Sequence, residues 1–273
     1  AFVGYLGDGM LDSVAIGEVF ASPPALAFYD AIVDADQGEG VAVLFGNYAG
    51  DNMNVKMAVQ MAEDDDIEVK YVVANDDVAS APKAVKEQRH GIAGGFFMWK
   101  VGGARAAKGG SLDDVIASAQ NVVNRTKSIC VGLEPCVIPA LGHSNFKIED
   151  GTMEFGVGHH GEAGTKVEKL KSASEMAQEM AETILNDFDF EEGKEVAVML
   201  SGLGATPVME LYVLYDEVEK VLAKAGHKVW KTYIGNYVTS LDMNGASLTI
   251  VDLDDEIKEL LSEPAVPIGM KNY

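Results

Sequence analysis

Short runs of apolar, β-branched residues alternate with amphipathic stretches along most of this chain, and that alternation restricts it to α/β architectures. Val41 to Phe45 reads as a buried strand, Gly46 to Asn54 as a loop, Met53 to Glu63 as a helix and Ile67 to Val73 as the next strand. Ser111 and Asp114 have capping-box spacing, and Leu112, Val115, Ile116, Ala119, Val122 and Val123 follow at helical intervals. A strand from Ser128 to Leu133 is then broken by Pro135, Pro139 and Gly142. The second half repeats the grammar with a strand at Met153 to Val157, a helix at Ser174 to Asn186, and strands at Val196 to Leu200, Val229 to Ile234 and Ala246 to Val251. Thr206 reads as an N-cap with Pro207 at the first helical position. Val208, Leu211, Tyr212, Tyr215, Val218 and Leu222 would form the apolar face of that helix, and Gly226 its stop.

At 273 residues the chain has room for two domains. The expectation is two α/β domains with mixed sheets flanked by helices. Their boundary falls near Lys127 to Leu133, giving residues 1–130 and 131–273, with the ligand site at the domain junction. With 21 basic against 43 acidic side chains the net charge is −22, which argues against direct nucleic-acid binding. A hydrophobic content of 48% argues against an acidic disordered tail. No apolar run is long enough to span a membrane and no signal peptide is evident, so a cytoplasmic location is expected. Cys130 and Cys136 are too few for a disulfide framework and read as small buried hydrophobes. The chain starts at Ala1 without an initiator Met and crowds Gly4, Gly7 and Gly9 together, as if a preceding segment existed.

Two segments carry candidate chemistry. Gly46 to Asn54 leaves a strand and enters a helix, where ligands bind in open α/β sheets. Asp51 could accept a substrate hydroxyl there, although local pattern alone favours a capping carboxylate among turn-forming glycines. Phe155 to Gly164 places His159, His160 and Glu162 among four glycines after a strand. A neutral imidazole there could attack a carbonyl carbon. A metal could take the same three side chains, but neighbouring strand residues point to opposite faces, and a solvated turn is equally compatible. Asp76 and Asp77 read as a turn, and Asp64 to Asp66 as a solvated helix end. A phosphate loop is absent, and Gly202-Leu203-Gly204 lacks the third glycine of the dinucleotide fingerprint.

Several motifs in order resemble the K subunit of dihydroxyacetone kinases. They are Gly7-Asp8-Gly9-Met10-Leu11, Phe20-Ala21-Ser22-Pro23, Asn47-Tyr48-Ala49-Gly50-Asp51 with Asn54, and Asn75-Asp76-Asp77-Val78-Ala79. Further on come Met153-Glu154-Phe155-Gly156-Val157-Gly158, His160-Gly161-Glu162, Leu203-Gly204-Ala205-Thr206-Pro207 with Glu210-Leu211-Tyr212, and Thr239-Ser240-Leu241-Asp242-Met243. The resemblance implies a small ketose, dihydroxyacetone, held as a hemiaminal on His160, with Asp51 hydrogen-bonding a substrate hydroxyl. Glu162 is near enough in sequence to accept from the other ring nitrogen of His160.

No cofactor or metal is expected on this chain. ADP or ATP with Mg would sit on a separate nucleotide-binding L subunit, which a phosphocarrier protein could serve, and the choice of donor would belong to that partner. A homodimer is implied, with no direct nucleic-acid or membrane partner. Three departures stand out. The family's Gly-rich segment with a second, acid/base histidine would precede Ala1. Gly46 replaces a substrate-binding lysine. Gly161-Glu162-Ala163-Gly164 replaces Gly-Glu-Pro-Gly, with His159 in place of an aliphatic residue. The lost lysine fits another small ketose, or the family's ketose-sensing coactivator, which partners a transcription regulator.

Overall fold

A computed structural model describes residues 2–144, 146–160, 162–188 and 193–270. In chain order the first elements are β1 (Gly7–Asp8), α1 (Ala25–Ala35), β2 (Val41–Gly46), α2 (Ala49–Asp64), β3 (Val69–Ala74), α3 (Gly95–Ala107) and α4 (Leu112–Asn124). They are followed by β4 (Thr126–Glu134), β5 (Thr152–Phe155), β6 (Lys166–Lys169), α5 (Ala173–Asp187) and β7 (Glu195–Gly202). The last are α6 (Val208–Lys224), β8 (Lys228–Gly235), β9 (Asn244–Asp252), α7 (Asp255–Ser262) and β10 (Val266–Pro267).

The chain forms two compact units, but not with one cut at 130/131. One unit comprises Ala1–Asn75, Gly95–Asn124 and Asp254–Tyr273; the other comprises Asp76–Gly94 and Arg125–Leu253. The expected boundary falls inside β4, which cannot be divided because it is paired to β9 from Thr126↔Val251 to Glu134↔Asn244. Pro135, Pro139 and Gly142 interrupt the chain only after that strand.

In the first unit β2 and β3 pair in parallel, from Val41↔Val69 to Gly46↔Ala74. Phe28 and Ile32 of α1, Val41 and Phe45 of β2, and Val55, Ala58 and Ala62 of α2 form one core. The capping box on α4 is present: Ser111 N–H donates to Asp114 Oδ2 at 2.9 Å, and Asp114 N–H to Ser111 Oγ at 3.2 Å. α3 had no sequence signal because it is apolar on nearly every side, and a helix buried all round shows no amphipathic period. Phe96, Phe97, Met98 and Val101 are all fully buried. Lys100, in the middle of this run, is also buried, and its Nζ donates to the Leu260 carbonyl at 3.0 Å.

The second unit holds a six-stranded sheet in the order β6-β5-β4-β9-β7-β8. Only the β7–β8 pair is parallel, so the sheet is mixed. Residues 126–132, 196–202 and 245–251 are buried without interruption, which explains why these strands read as continuous apolar runs rather than alternating ones. α5 and α6 pack on this sheet through Met180, Ile184, Leu211, Leu214, Val218 and Leu222.

Two expectations for α6 fail. Thr206 does not cap it: Pro207 holds that position, and the Thr206 hydroxyl instead donates to the Gly245 carbonyl at 2.6 Å and accepts from the Gly245 N–H at 2.8 Å. Val208 and Tyr212 point to solvent, because the buried stripe is set by Leu211, Leu214, Val218 and Leu222. Gly226 does follow the helix in a left-handed conformation, at φ +84°.

Gly103 of α3 tests the packing of the first unit. A Cβ there would lie 2.2 Å from the backbone oxygen of Met10. In an open helix Gly→Ala stabilises by about 1 kcal/mol. Here the neighbour is rigid backbone, so Gly103→Ala destabilises by about 2 kcal/mol or more, read as a lower urea midpoint. A raised midpoint would contradict the packing described.

Candidate functional site

Asp51 lies in the first unit and His160 in the second. The helix entered by the first loop begins at Ala49 rather than Met53, so Asp51 occupies its first turn. It is not the cap: Tyr48 holds that position and makes no side-chain capping bond. A carboxylate in a first turn gains from the helix dipole. Asp51 Oδ1 also accepts the Ser22 hydroxyl at 3.0 Å. Asn54 Nδ2 donates to Ser22 Oγ at 3.3 Å and to the Pro23 carbonyl at 2.8 Å. Gly50 is required beside them, since a Cβ would come within 2.9 Å of Ser22 Cβ. Gly46 closes β2 opposite Ala74, and Asn47 N–H donates to the Ala74 carbonyl at 2.9 Å. Ser22 was not foreseen as a site residue. Its only sequence signal was the Phe-Ala-Ser-Pro motif.

In the second unit the chain leaves β5 through Gly156, at φ +76°, where a Cβ would meet Ala79 Cβ at 2.7 Å. Ala79 belongs to the turn that Asp77 opens, in which Ala79 N–H donates to Asp77 Oδ1 at 3.0 Å; Asp76 precedes that turn. Asp76 accepts Ile92 N–H at 3.0 Å and Gly94 N–H at 2.8 Å. Burial pushes both carboxyls up, Asp77 to about 7 despite its bond from Ala79.

His159 and His160 sit in a turn with opposite environments. His159 is buried, and its Nε2 has no hydrogen-bond partner. Burial, reinforced by the neighbouring His160, lowers its pKa to about 4. His160 keeps 38% of its side chain exposed. Its backbone N–H donates to Glu162 Oε2 at 2.8 Å, and its Nδ1 stands 3.8 Å from Glu162 Oε1. That is ion-pair range, beyond a direct hydrogen bond. Gly158 N–H donates to the Glu162 carbonyl at 3.1 Å, and a Cβ on Gly158 would collide with Glu162 Oε2 at 2.2 Å. The glycine therefore lets the carboxylate fold back over the turn. Burial pulls the Glu162 carboxyl up, but the His160 ring and backbone N–H outweigh it and hold it at about 2. Gly161, inside the His-Gly-Glu motif, lies outside the described residues. Among the described residues no group of three His, Cys, Asp or Glu side chains is placed to hold a metal ion, and no helix is long and apolar enough to cross a membrane.

The Dak1 domain family model matches residues 1–268. A dihydroxyacetone-binding subunit of a PTS-dependent dihydroxyacetone kinase from Listeria innocua is 41% identical over 256 residues, covering 94% of this chain and 78% of the relative. A D-erythrulose kinase from Mycolicibacterium smegmatis is 37% identical over 265 residues, covering 97% of this chain and 46% of that protein. The solved structure of a dihydroxyacetone kinase operon co-activator superposes with a TM-score of 0.92 at 30% identity, covering 97% of this chain and 82% of the other.

His159 makes stability depend on pH with a definite sign. Its pKa is about 4 when folded against an ordinary 6.5, so between these values the unfolded chain binds the extra proton and stability falls as pH falls. His159→Leu removes that contribution. The stability difference between about pH 7 and pH 5 then shifts by about 2 kcal/mol relative to wild type, measured by urea unfolding. Identical pH slopes in the two proteins would show that His159 is not buried in its neutral form.

Proposed function

The chain belongs to the Dak1 domain family, and on that premise we propose that it is the dihydroxyacetone-binding subunit of a dihydroxyacetone kinase, holding its ketose covalently on His160. The observation that carries this reading is the pairing of a partly exposed imidazole with an ionised carboxylate on the Nδ1 side. With the ring proton on Nδ1, facing Glu162, Nε2 carries the lone pair that attacks the carbonyl carbon. The nitrogen–carbon bond forms as the carbonyl π pair moves to oxygen, which takes up a proton. The positive charge developing on the ring is offset by the Glu162 carboxylate, which stays ionised well below neutral pH. Glycerol has no carbonyl, so this bond rejects it where hydroxyl contacts alone would not.

The resemblance gives Asp51 the role of accepting a substrate hydroxyl's hydrogen bond. It also assigns the phosphoryl donor, ADP or ATP with Mg, to a separate nucleotide-binding subunit. A second reading, a ketose-sensing coactivator, is favoured by one observation: glycine at position 46 in place of the expected lysine. Overall fold does not separate the two, since the co-activator structure superposes at a TM-score of 0.92. The 41% identity to a kinase subunit, against 30% to that co-activator, supports the kinase.

The full-length protein is to be combined with its nucleotide-binding partner, phosphoryl donor and, in parallel, dihydroxyacetone, erythrulose and glycerol. Turnover of a ketose and none of glycerol is expected. Ketose binding without turnover, together with tight association with a transcription regulator, would overturn the kinase reading in favour of the coactivator. His160→Ala abolishes covalent capture in a crystal soaked with ketose, while His159→Ala retains most of it. Asp51→Asn lowers kcat on the order of a hundredfold. A ketose well ordered in the soaked crystal but unbonded to any histidine would refute the covalent mechanism.

A further inference from the structure

We propose that Ser240 is a positioning residue for His160, holding the turn on which the nucleophilic imidazole is presented; the inference rests on the reading of His160 above. Ser240 is fully buried, and its hydroxyl donates to the His159 carbonyl at 2.6 Å. That carbonyl begins the peptide unit that continues into the His160 N–H, so one flat, rigid group is gripped at both ends. The oxygen is held by Ser240, and the N–H by Glu162 Oε2 at 2.8 Å. Rotation of this peptide is what would swing the His160 Cα–Cβ bond, and both bonds oppose it.

The direction of the Ser240 bond follows from its acceptor, since a carbonyl oxygen has no proton to give and the hydroxyl must supply it. Ser240 is itself fixed. Its N–H donates to the Leu203 carbonyl at 2.7 Å, and its carbonyl accepts Met243 N–H at 3.0 Å. The next residue, Leu241, adopts a left-handed conformation at φ +51°, and Gly204 packs under it so closely that a Cβ there would lie 1.8 Å from the Leu241 oxygen. The Thr239-to-Met243 motif, which makes no contact of its own with the Glu162 carboxylate in the bonds described, thereby acquires a function: it joins the exit of β7 and the entry of β9 to the histidine turn.

The test follows ketose carrying an isotope-labelled carbonyl carbon by NMR, where conversion to a tetrahedral carbon reports the adduct directly. Wild type shows the adduct and His160→Ala does not. Ser240→Ala weakens the apparent adduct constant on the order of tenfold. Ser240→Cys, of similar shape but a weaker donor, falls between. Ser247→Ala is the control for lost stability: Ser247 is an equally buried β9 serine, within 3.5 Å of the Ser201 carbonyl. It keeps the wild-type adduct. A wild-type adduct in Ser240→Ala, or in Ser240→Cys should the alanine variant fail to fold, overturns the inference and leaves the reading of His160 intact. An equal loss in Ser247→Ala also overturns it. An adduct that survives in His160→Ala overturns the reading of His160 and this inference with it.

Discussion

The second unit depends on β9 being hydrogen-bonded along both edges. It pairs with β4 from Thr126↔Val251 to Glu134↔Asn244, and with β7 from Val196↔Asp252 to Gly202↔Ala246. A strand in that position has no freedom of register, because a slip of one residue would turn every side chain to the wrong face. The segments at its N-terminal end inherit this rigidity. Leu203 N–H donates to the Gly245 carbonyl and Ala205 N–H to the Met243 carbonyl, each at 3.1 Å. Gly245 tolerates no side chain, since a Cβ would lie 2.2 Å from the Val131 oxygen. A histidine presented from a loop is less precise than one on a strand. This loop is tied through Ser240 to Leu203 and Met243, which flank strands paired along both edges, and that brings it closer to strand-like precision.

Burial and hydrogen bonding together sort the charges around this turn. His159 is kept neutral and Glu162 ionised, while the Asp76 and Asp77 carboxyls are pushed toward neutrality by their burial. In a chain of net charge −22 the important quantity is therefore not the total but which carboxylate remains ionised beside His160. His159 and Asp77 act on stability in opposite directions. Stability tied to His159 is lost as pH falls from 6.5 toward 4, whereas stability tied to Asp77 is lost as pH rises from 3.8 toward 7. The whole protein's pH profile can be flat although each group has a steep one. For that reason the informative quantity is the difference between a variant and wild type.

Strands and helices with one clear period were legible. β2, β4 and α4 lie within two residues of their expected positions at each end. The failures share a cause, which is that tertiary contacts decided where local pattern offered two choices. α3 is apolar on most faces and so carried no helical signature. Thr206 had the right residue type and position for a cap, yet Gly245 of a strand distant in sequence offered its hydroxyl both an acceptor and a donor. Asp51 looked like a loop or capping residue because Gly50 beside it suggests a turn. That glycine is instead demanded by Ser22, a contact between residues 28 positions apart that no local pattern encodes. The histidine turn was legible as a candidate from its glycines and imidazoles, but its support was not, since Ser240 reaches it from far along the chain.

If the ketose is held on His160 as proposed, covalent capture and phosphoryl transfer are separable steps, and one scaffold could serve both proteins named as kinases and one named as a co-activator. Attack on a carbonyl needs an imidazole, a nearby anion and a fixed turn, and the second unit brings together the His160 ring, the Glu162 carboxylate and the Ser240 bond to their turn. Transfer further needs a hydroxyl acceptor and a donor held in line. On the proposed reading, selection for a ketose over glycerol would be complete at the first step, because it would rest on the presence of a carbonyl rather than on the number of hydroxyl contacts. A protein that retained only that step would still discriminate its ligand. On that reading the distinction between sensing and phosphorylating would lie in the groups that meet the hydroxyls, and glycine at position 46 would bear on those groups rather than on His160.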